Sequence, residues 1–252
     1  MHKLMTKFFV CVIAAAWPIA ALAQVQAPST APVAALPSVD DILAKFEKAL
    51  GGKEALEKQS SRYSKGTFTL GEMGSPGSTE IYQKAPDKML TVTDTGQFGI
   101  FRSGVDGANA WVDTPQGVQD LTGAAAAASK RGALFYGELH MKESYPKMVV
   151  KSKDKFDGKD VYVVEATPTE GSPELLSFDA DSGLMVRSQT QMEGPQGTVD
   201  VDTRLSDYRD VDGVKIPFKF EQQRSDFSFV IQFTEVKHNV PIDDAKFEKP
   251  KS

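Results

Sequence analysis

The side chains able to do chemistry are few and scattered. Beyond residue 23 the histidines are His140 and His238, nearly a hundred positions apart, and neither sits in a ligand spacing such as H-E-x-x-H. Both are read as surface or strand-end residues. The one cysteine, Cys11, falls within the first 23 residues, so the rest of the chain has no disulfide, thiolate ligand or cysteine nucleophile. Asp179-Ala180-Asp181-Ser182-Gly183 and Asp210-Val211-Asp212-Gly213 resemble calcium loops superficially. Neither has the twelve-residue register ending on glutamate, and turns between strands account for both. Asp200 and Asp202 alternate with Val199 and Val201, which places them on the solvent side of a strand. The phosphate-loop, dinucleotide and nucleophile-elbow patterns are absent, and no carboxylate pair stands out. The expectation is a protein that is not an enzyme, with no metal and no cofactor.

What the chain supplies in quantity is apolar surface. It has 15 phenylalanines, of which all but Phe8 and Phe9 lie beyond residue 23. The stretch from Leu205 to Pro250 concentrates them. Ile216, Phe218 and Phe220 share one face of an extended segment, with Lys215, Lys219 and Glu221 on the other. Phe227, Phe229, Ile231 and Phe233 repeat the pattern after a polar hairpin at 222–226, and Asp212-Gly213 supplies the preceding turn. A sheet with so apolar a face must be covered, either by a plain core or by the walls of a cavity.

The elements that would do the covering are read from the rest of the chain. Met1 to Ala23 has the charged start, apolar centre and Ala21-Leu22-Ala23 ending of a secretory signal, with cleavage after Ala23 and a periplasmic destination. No small-residue lipidation box precedes Cys11. Residues 24–37 form a Pro/Ala-rich leader expected to be disordered, and residues 38–252 a single domain. Ser38 with Asp41 reads as a capping box for an amphipathic helix carrying Val39, Ile42, Leu43, Phe46 and Leu50, stopped by Gly51-Gly52. Short extended runs follow from Arg62 to Leu121 and again from Lys147 onward, separated by Gly, Pro and Asp turns. Between them, Gly123 to Leu139 reads as a helix with Leu134, Phe135 and Leu139 at helical spacing and Gly132 and Gly137 as weak points. The predicted fold is mainly β: about eleven antiparallel strands with two helical pieces, able to enclose an apolar cavity. Lys and Arg number 29 against 34 Asp and Glu, and no basic run is present, which argues against nucleic acid as a partner.

The order of elements resembles the LolA-like outer-membrane lipoprotein-sorting and periplasmic lipid-carrier family. Tyr82-Gln83-Lys84-Ala85-Pro86-Asp87-Lys88 matches its strand-Pro-strand turn, and Val105 to Val112 its D-G-x-x-x-W strand. Val161 to Pro168, the turn from Tyr208 to Pro217, and the ending Asn239 to Phe247 belong to the same pattern. The resemblance covers roughly residues 39–250. It implies an incomplete antiparallel barrel around the first helix and a mid-chain helical lid, with lipid or lipoprotein acyl chains between them. It further implies a wall of Ile42, Leu43 and Phe46, a lid of Leu134, Phe135 and Leu139, and a floor of Phe68, Trp111, Met185, Phe218 and Phe229. Arg62 is the position nearest to the arginine the family carries near its first strand. An inner- or outer-membrane protein partner and a monomeric state are expected. The alternative is the same fold acting as a protein-interaction or envelope-stress sensing module.

Overall fold

Helix α1 spans Val39–Leu50 and begins where its capping residues require. The Ser38 hydroxyl accepts a hydrogen bond from the Asp41 N–H at 3.1 Å, and the Asp41 carboxylate accepts one from the Ser38 N–H at 3.2 Å. Gly51 ends the helix at φ 122°, where a Cβ would also stand 2.1 Å from the Gly213 carbonyl oxygen. Ile42, Phe46 and Leu50 form its buried stripe. The computed structural model describes residues 35–71, 75–194, 197–225 and 227–251. The signal segment and residues 24–34 of the leader lie outside them, as does Asp226 of the predicted hairpin.

A short helix α2 (Lys53–Glu57) follows, and then the strands. The first six are β1 (Ser61–Leu70), β2 (Ser75–Lys84), β3 (Lys88–Asp94), β4 (Ile100–Asp106), β5 (Ala110–Thr114) and β6 (Gly117–Asp120). Helices α3 (Gly123–Ala133) and α4 (Met141–Ser144) intervene. The remainder are β7 (Lys147–Phe156), β8 (Lys159–Thr167), β9 (Glu174–Asp179), β10 (Met185–Gly194), β11 (Gly197–Val211), β12 (Val214–Arg224) and β13 (Ser228–His238). They form one sheet in the order 6-5-4-3-2-1-13-12-11-10-9-8-7, antiparallel throughout. Among the described residues the sheet has 13 strands, against the about eleven expected. Asp157-Gly158 and Asp212-Gly213 turn their hairpins with positive φ at both positions, as a type I′ turn demands.

The sheet is open, with β6 and β7 as its edges. Because those strands are consecutive, the segment between them must cross from one edge to the other. That segment holds α3 and α4, so helix fills the gap where a closed barrel would have paired strands. The helical reading there is corrected in one respect. α3 stops at Ala133, and Leu134, Phe135 and Leu139 occupy the turns before α4. Leu134 is extended (φ −59°, ψ 113°), and the Phe135 N–H donates to the Pro86 carbonyl at 2.9 Å, which removes it from any helical ladder.

Alternation across the strands assigns the two faces. Arg62 pairs with Gln83, Gln83 with Met89, Met89 with Val105 and Val105 with Ala110, giving one row on the inner face. α3 covers its far end, where Ala133 packs with Val105 and Ala110. The row one residue over, Tyr63, Tyr82, Leu90, Gly104 and Trp111, faces outward. There Trp111 and Leu90 pack with Phe247, which is 0% exposed, from a 3-10 turn at Asp244–Phe247. α1 lies on the inner side of the other half, its Ile42, Phe46 and Leu50 packed with Val164, Leu176 and Phe178. Among the described residues no helix is long and apolar enough to cross a membrane.

Candidate functional site

The inner face does not pack solid. Between α1, the 134–140 turns and strands β1–β3 and β10–β13 is a cavity of about 270 Å³. Its walls are mainly apolar: Phe46 and Leu50 from α1, Ile81 and Met89 from β2 and β3, Ile216 and Phe220 from β12. Phe135 closes it from the turn after α3. A second opening of about 240 Å³ beside it shares Phe46, Arg62, Gln83, Glu138 and Met185, so the cavity reaches the gap between α1 and the turns.

One wall is polar. Arg62, Gln83 and His238 stand side by side on three adjacent strands, Arg62 being in register with Gln83 on β2 and with His238 on β13. The guanidinium donates to Gln83 Oε1 twice, from Nε at 2.9 Å and Nη2 at 2.7 Å. Among the described residues it has no carboxylate within ion-pair distance, and Glu138 acts on it only through its field. Burial pushes its pKa down, against the opposing charge of Glu138. Phe135 lies against its face, 5.9 Å from ring centroid to Cζ. Nearby, the Tyr208 hydroxyl donates to the Met185 carbonyl at 2.6 Å, and burial with the Glu138 charge drives that phenol upward.

His238 ends β13 as expected of a strand-end residue, but it is not at the surface. Its side chain is 2% exposed, and Nδ1 makes no hydrogen bond, standing 3.4 Å from Asp212 Oδ2. Burial holds the imidazole below its ordinary value of 6.5, the Arg62 charge adds to this, and Asp212 opposes it. The unfolded chain therefore binds this proton at a higher pH than the folded chain. Titration of His238 leaves stability unchanged well above pH 6.5 and weakens the fold as pH falls below it. The variant His238→Gln is expected to flatten the fall in urea-unfolding stability on acidification from pH 7 to 5. Identical pH slopes in wild type and variant would assign the titration elsewhere.

Of the eleven residues expected around a cavity, Phe46, Phe135 and Met185 meet there. Ile42 is buried in the α1 core and Leu43 packs half-buried beside it. Leu134 is 37% exposed at the second opening, and Leu139 is half-buried in the turn preceding α4. Phe68 and Phe229 meet near the other end of β1 and β13, their rings tilted by 31° with centroids 5.3 Å apart. Phe218 is buried with Val214 and Ile216, under the Arg209 guanidinium at 4.3 Å. Trp111 lies on the outer face, because it is one residue from the inward Ala110. The polar wall was missed as a unit: Arg62, Gln83 and His238 lie far apart in sequence, and only strand register aligns them.

The other candidates resolve into turns and pairs. The buried Asp179 carboxylate accepts from the Asp181 and Ser182 amides at 3.0 and 2.7 Å. Burial pushes it up, yet those donors outweigh burial and hold it below the usual range. Asp210 accepts from the Gly213 amide in the same way at 3.0 Å, and Asp202 pairs with Arg187. His140 is exposed beside Glu143. Among the described residues no cluster of three or more His, Cys, Asp or Glu could hold a metal ion.

The fold has counterparts among solved structures. A DUF1329 family protein from Desulfovibrio piger superposes with a TM-score of 0.58 at 18% identity, covering 83% of this chain and 97% of its own. A LolA superfamily protein from Nitrosomonas europaea gives 0.56 at 16%, covering 85% and 99%. The fold is LolA-like. A putative outer membrane lipoprotein-sorting protein domain from Vibrio parahaemolyticus has the same LolA-like architecture, with a TM-score of 0.55 at 13% identity over 82% and 93% of the two chains. No protein-family model and no curated protein matches the sequence.

Proposed function

We propose that residues 38–252 are a LolA-like carrier domain which binds an acyl chain of a lipid or lipoprotein in the inner-face cavity. The single observation that carries this reading is the cavity itself. It is largely apolar, reaches an opening, and is left unfilled by a protein rich in large apolar side chains. Its about 270 Å³ lies just below the roughly 300–1,000 Å³ of drug-sized ligand sites, which suits one slender chain better than a bulky group. Transfer of a chain into it is favoured by about 0.8 kcal/mol per methylene, so binding needs no catalytic group. The secretory signal read over residues 1–23 supports a periplasmic location.

A second reading, a LolA-like module that binds a protein partner, is favoured by one observation. Phe98, Ile100 and Phe101 are 43%, 42% and 37% exposed at the β3–β4 connection, away from the cavity. Native mass spectrometry of the full chain purified from the periplasm separates the two. A bound lipid or acylated species, released by solvent extraction, is the expected result. A clean unliganded mass with no uptake of added lipid would overturn the carrier reading and favour the interaction module.

A further inference from the structure

The polar wall poses a question the apolar cavity does not. A guanidinium enclosed beside apolar side chains is costly unless a negative charge answers it. Arg62 has only the Gln83 amide oxygen as a hydrogen-bond acceptor, with no carboxylate within ion-pair distance among the described residues. Beside it the buried His238 Nδ1 makes no hydrogen bond and stands 3.4 Å from Asp212 Oδ2. The Arg62 charge bears on that imidazole and disfavours its protonation, against the pull of Asp212. Glu138, the acid whose charge Arg62 feels, sits on the turn over the opening rather than in contact. The guanidinium thus has room for a negative group in direct contact.

Resting on the carrier reading, we propose that the wall formed by Arg62, Gln83 and His238 is a headgroup subsite for a terminal oxyanion, so that the ligand is an anionic single-chain amphiphile. The oxyanion accepts from the guanidinium N–H groups that Gln83 does not use. Gln83, by accepting from Nε and Nη2, fixes the plane in which those groups point. The acyl chain then runs along Ile216, Phe220 and Met89. A carboxylate and a phosphate monoester share this chemistry.

Three ligands of equal chain length test the subsite by displacement of an uncharged fluorescent probe at pH 7.5 and fixed salt: dodecanoate, dodecyl phosphate and monododecanoylglycerol. The wild-type protein is expected to bind at least one anion ten-fold or more tighter than the neutral ester, and the tighter anion names the headgroup. In Arg62→Met that preference should collapse to less than two-fold while the neutral ester still binds, whereas Arg62→Lys should keep part of it. Anions bound no better than the ester by wild type, or a preference unchanged in Arg62→Met, would overturn the subsite and leave the carrier reading standing. Binding of none of the three would overturn both. Should Arg62→Met fail to fold, the wild-type ratio and Arg62→Lys decide, since the lysine retains the charge.

Discussion

Trp111→Ala is expected to lose about 3–5 kcal/mol of stability while leaving acyl-chain uptake unchanged. The indole is 1% exposed, packed among Leu90 and Phe247, and its Nε1–H donates to the Phe247 carbonyl at 3.2 Å. Its neighbour on β4 is Gly104, where a Cβ would sit 2.2 Å from the ring, so the ring occupies space that only a glycine leaves. Truncation to alanine leaves a void that backbone on one side and the C-terminal turn on the other cannot easily fill. The carbonyl of Phe247 also loses its buried donor. At roughly 2–4 °C per kcal/mol for a chain of this size, the melting temperature should fall by about 10 °C. Ligand affinity, measured by the same probe displacement, should stay within two-fold, because the indole and the cavity lie on opposite faces of the sheet. A variant that melts like wild type but loses ligand would reverse the assignment of faces.

Phe46→Ala is expected to have an equally large effect on stability and the opposite effect on ligand. Phe46 is 3% exposed, and its ring meets Phe178 edge-on with centroids 5.2 Å apart. Removing it costs about 3–5 kcal/mol in the unliganded protein. The same ring is a wall of the cavity, so its loss enlarges the space rather than creating an isolated void. A long-chain ligand can occupy the added volume and recover part of the lost contact, so a saturating ligand should raise the melting temperature more in Phe46→Ala than in wild type. Differential scanning fluorimetry with and without dodecanoate reads both quantities. An equal ligand-induced shift in the two proteins would mean that the chain does not reach α1.

Much of this architecture was legible because it is written in local periodicity. The capping pair at Ser38 and Asp41 and the 3.6-residue stripe placed α1, and the Asp-Gly dipeptides placed two hairpin turns, since only positive φ serves there. The class of each element followed from patterns a few residues long. Position relative to the cavity did not. Ala110 and Trp111 are neighbours that face opposite ways, and a large aromatic looks like a cavity floor or an outer core alike until the strand register is known. α3 misled for a related reason: Leu134, Phe135 and Leu139 keep helical spacing, yet a hydrogen bond to Pro86, nearly fifty residues earlier, takes Phe135 into a turn. The grouping of Arg62, Gln83 and His238 depends wholly on long-range pairing.

The pairing of β1 with β13 also governs how the chain can fold. The Ser61 hydroxyl donates to the Val240 carbonyl 179 positions away, and Phe247 then covers Trp111 from the same C-terminal segment. The two halves of the sheet, each a meander of sequence neighbours, are joined through the first and last strands, so that joint cannot form from neighbours alone. Closing so long a loop delays the reward until nearly the whole chain is available, and refolding should take milliseconds to seconds rather than microseconds. Stopped-flow tryptophan fluorescence during dilution from urea would measure it, and complete recovery within microseconds would contradict it. A polypeptide that finishes its sheet only with its last thirty or so residues leaves β1 without its second neighbour until the end. Topology itself thus makes the first strand wait for the last.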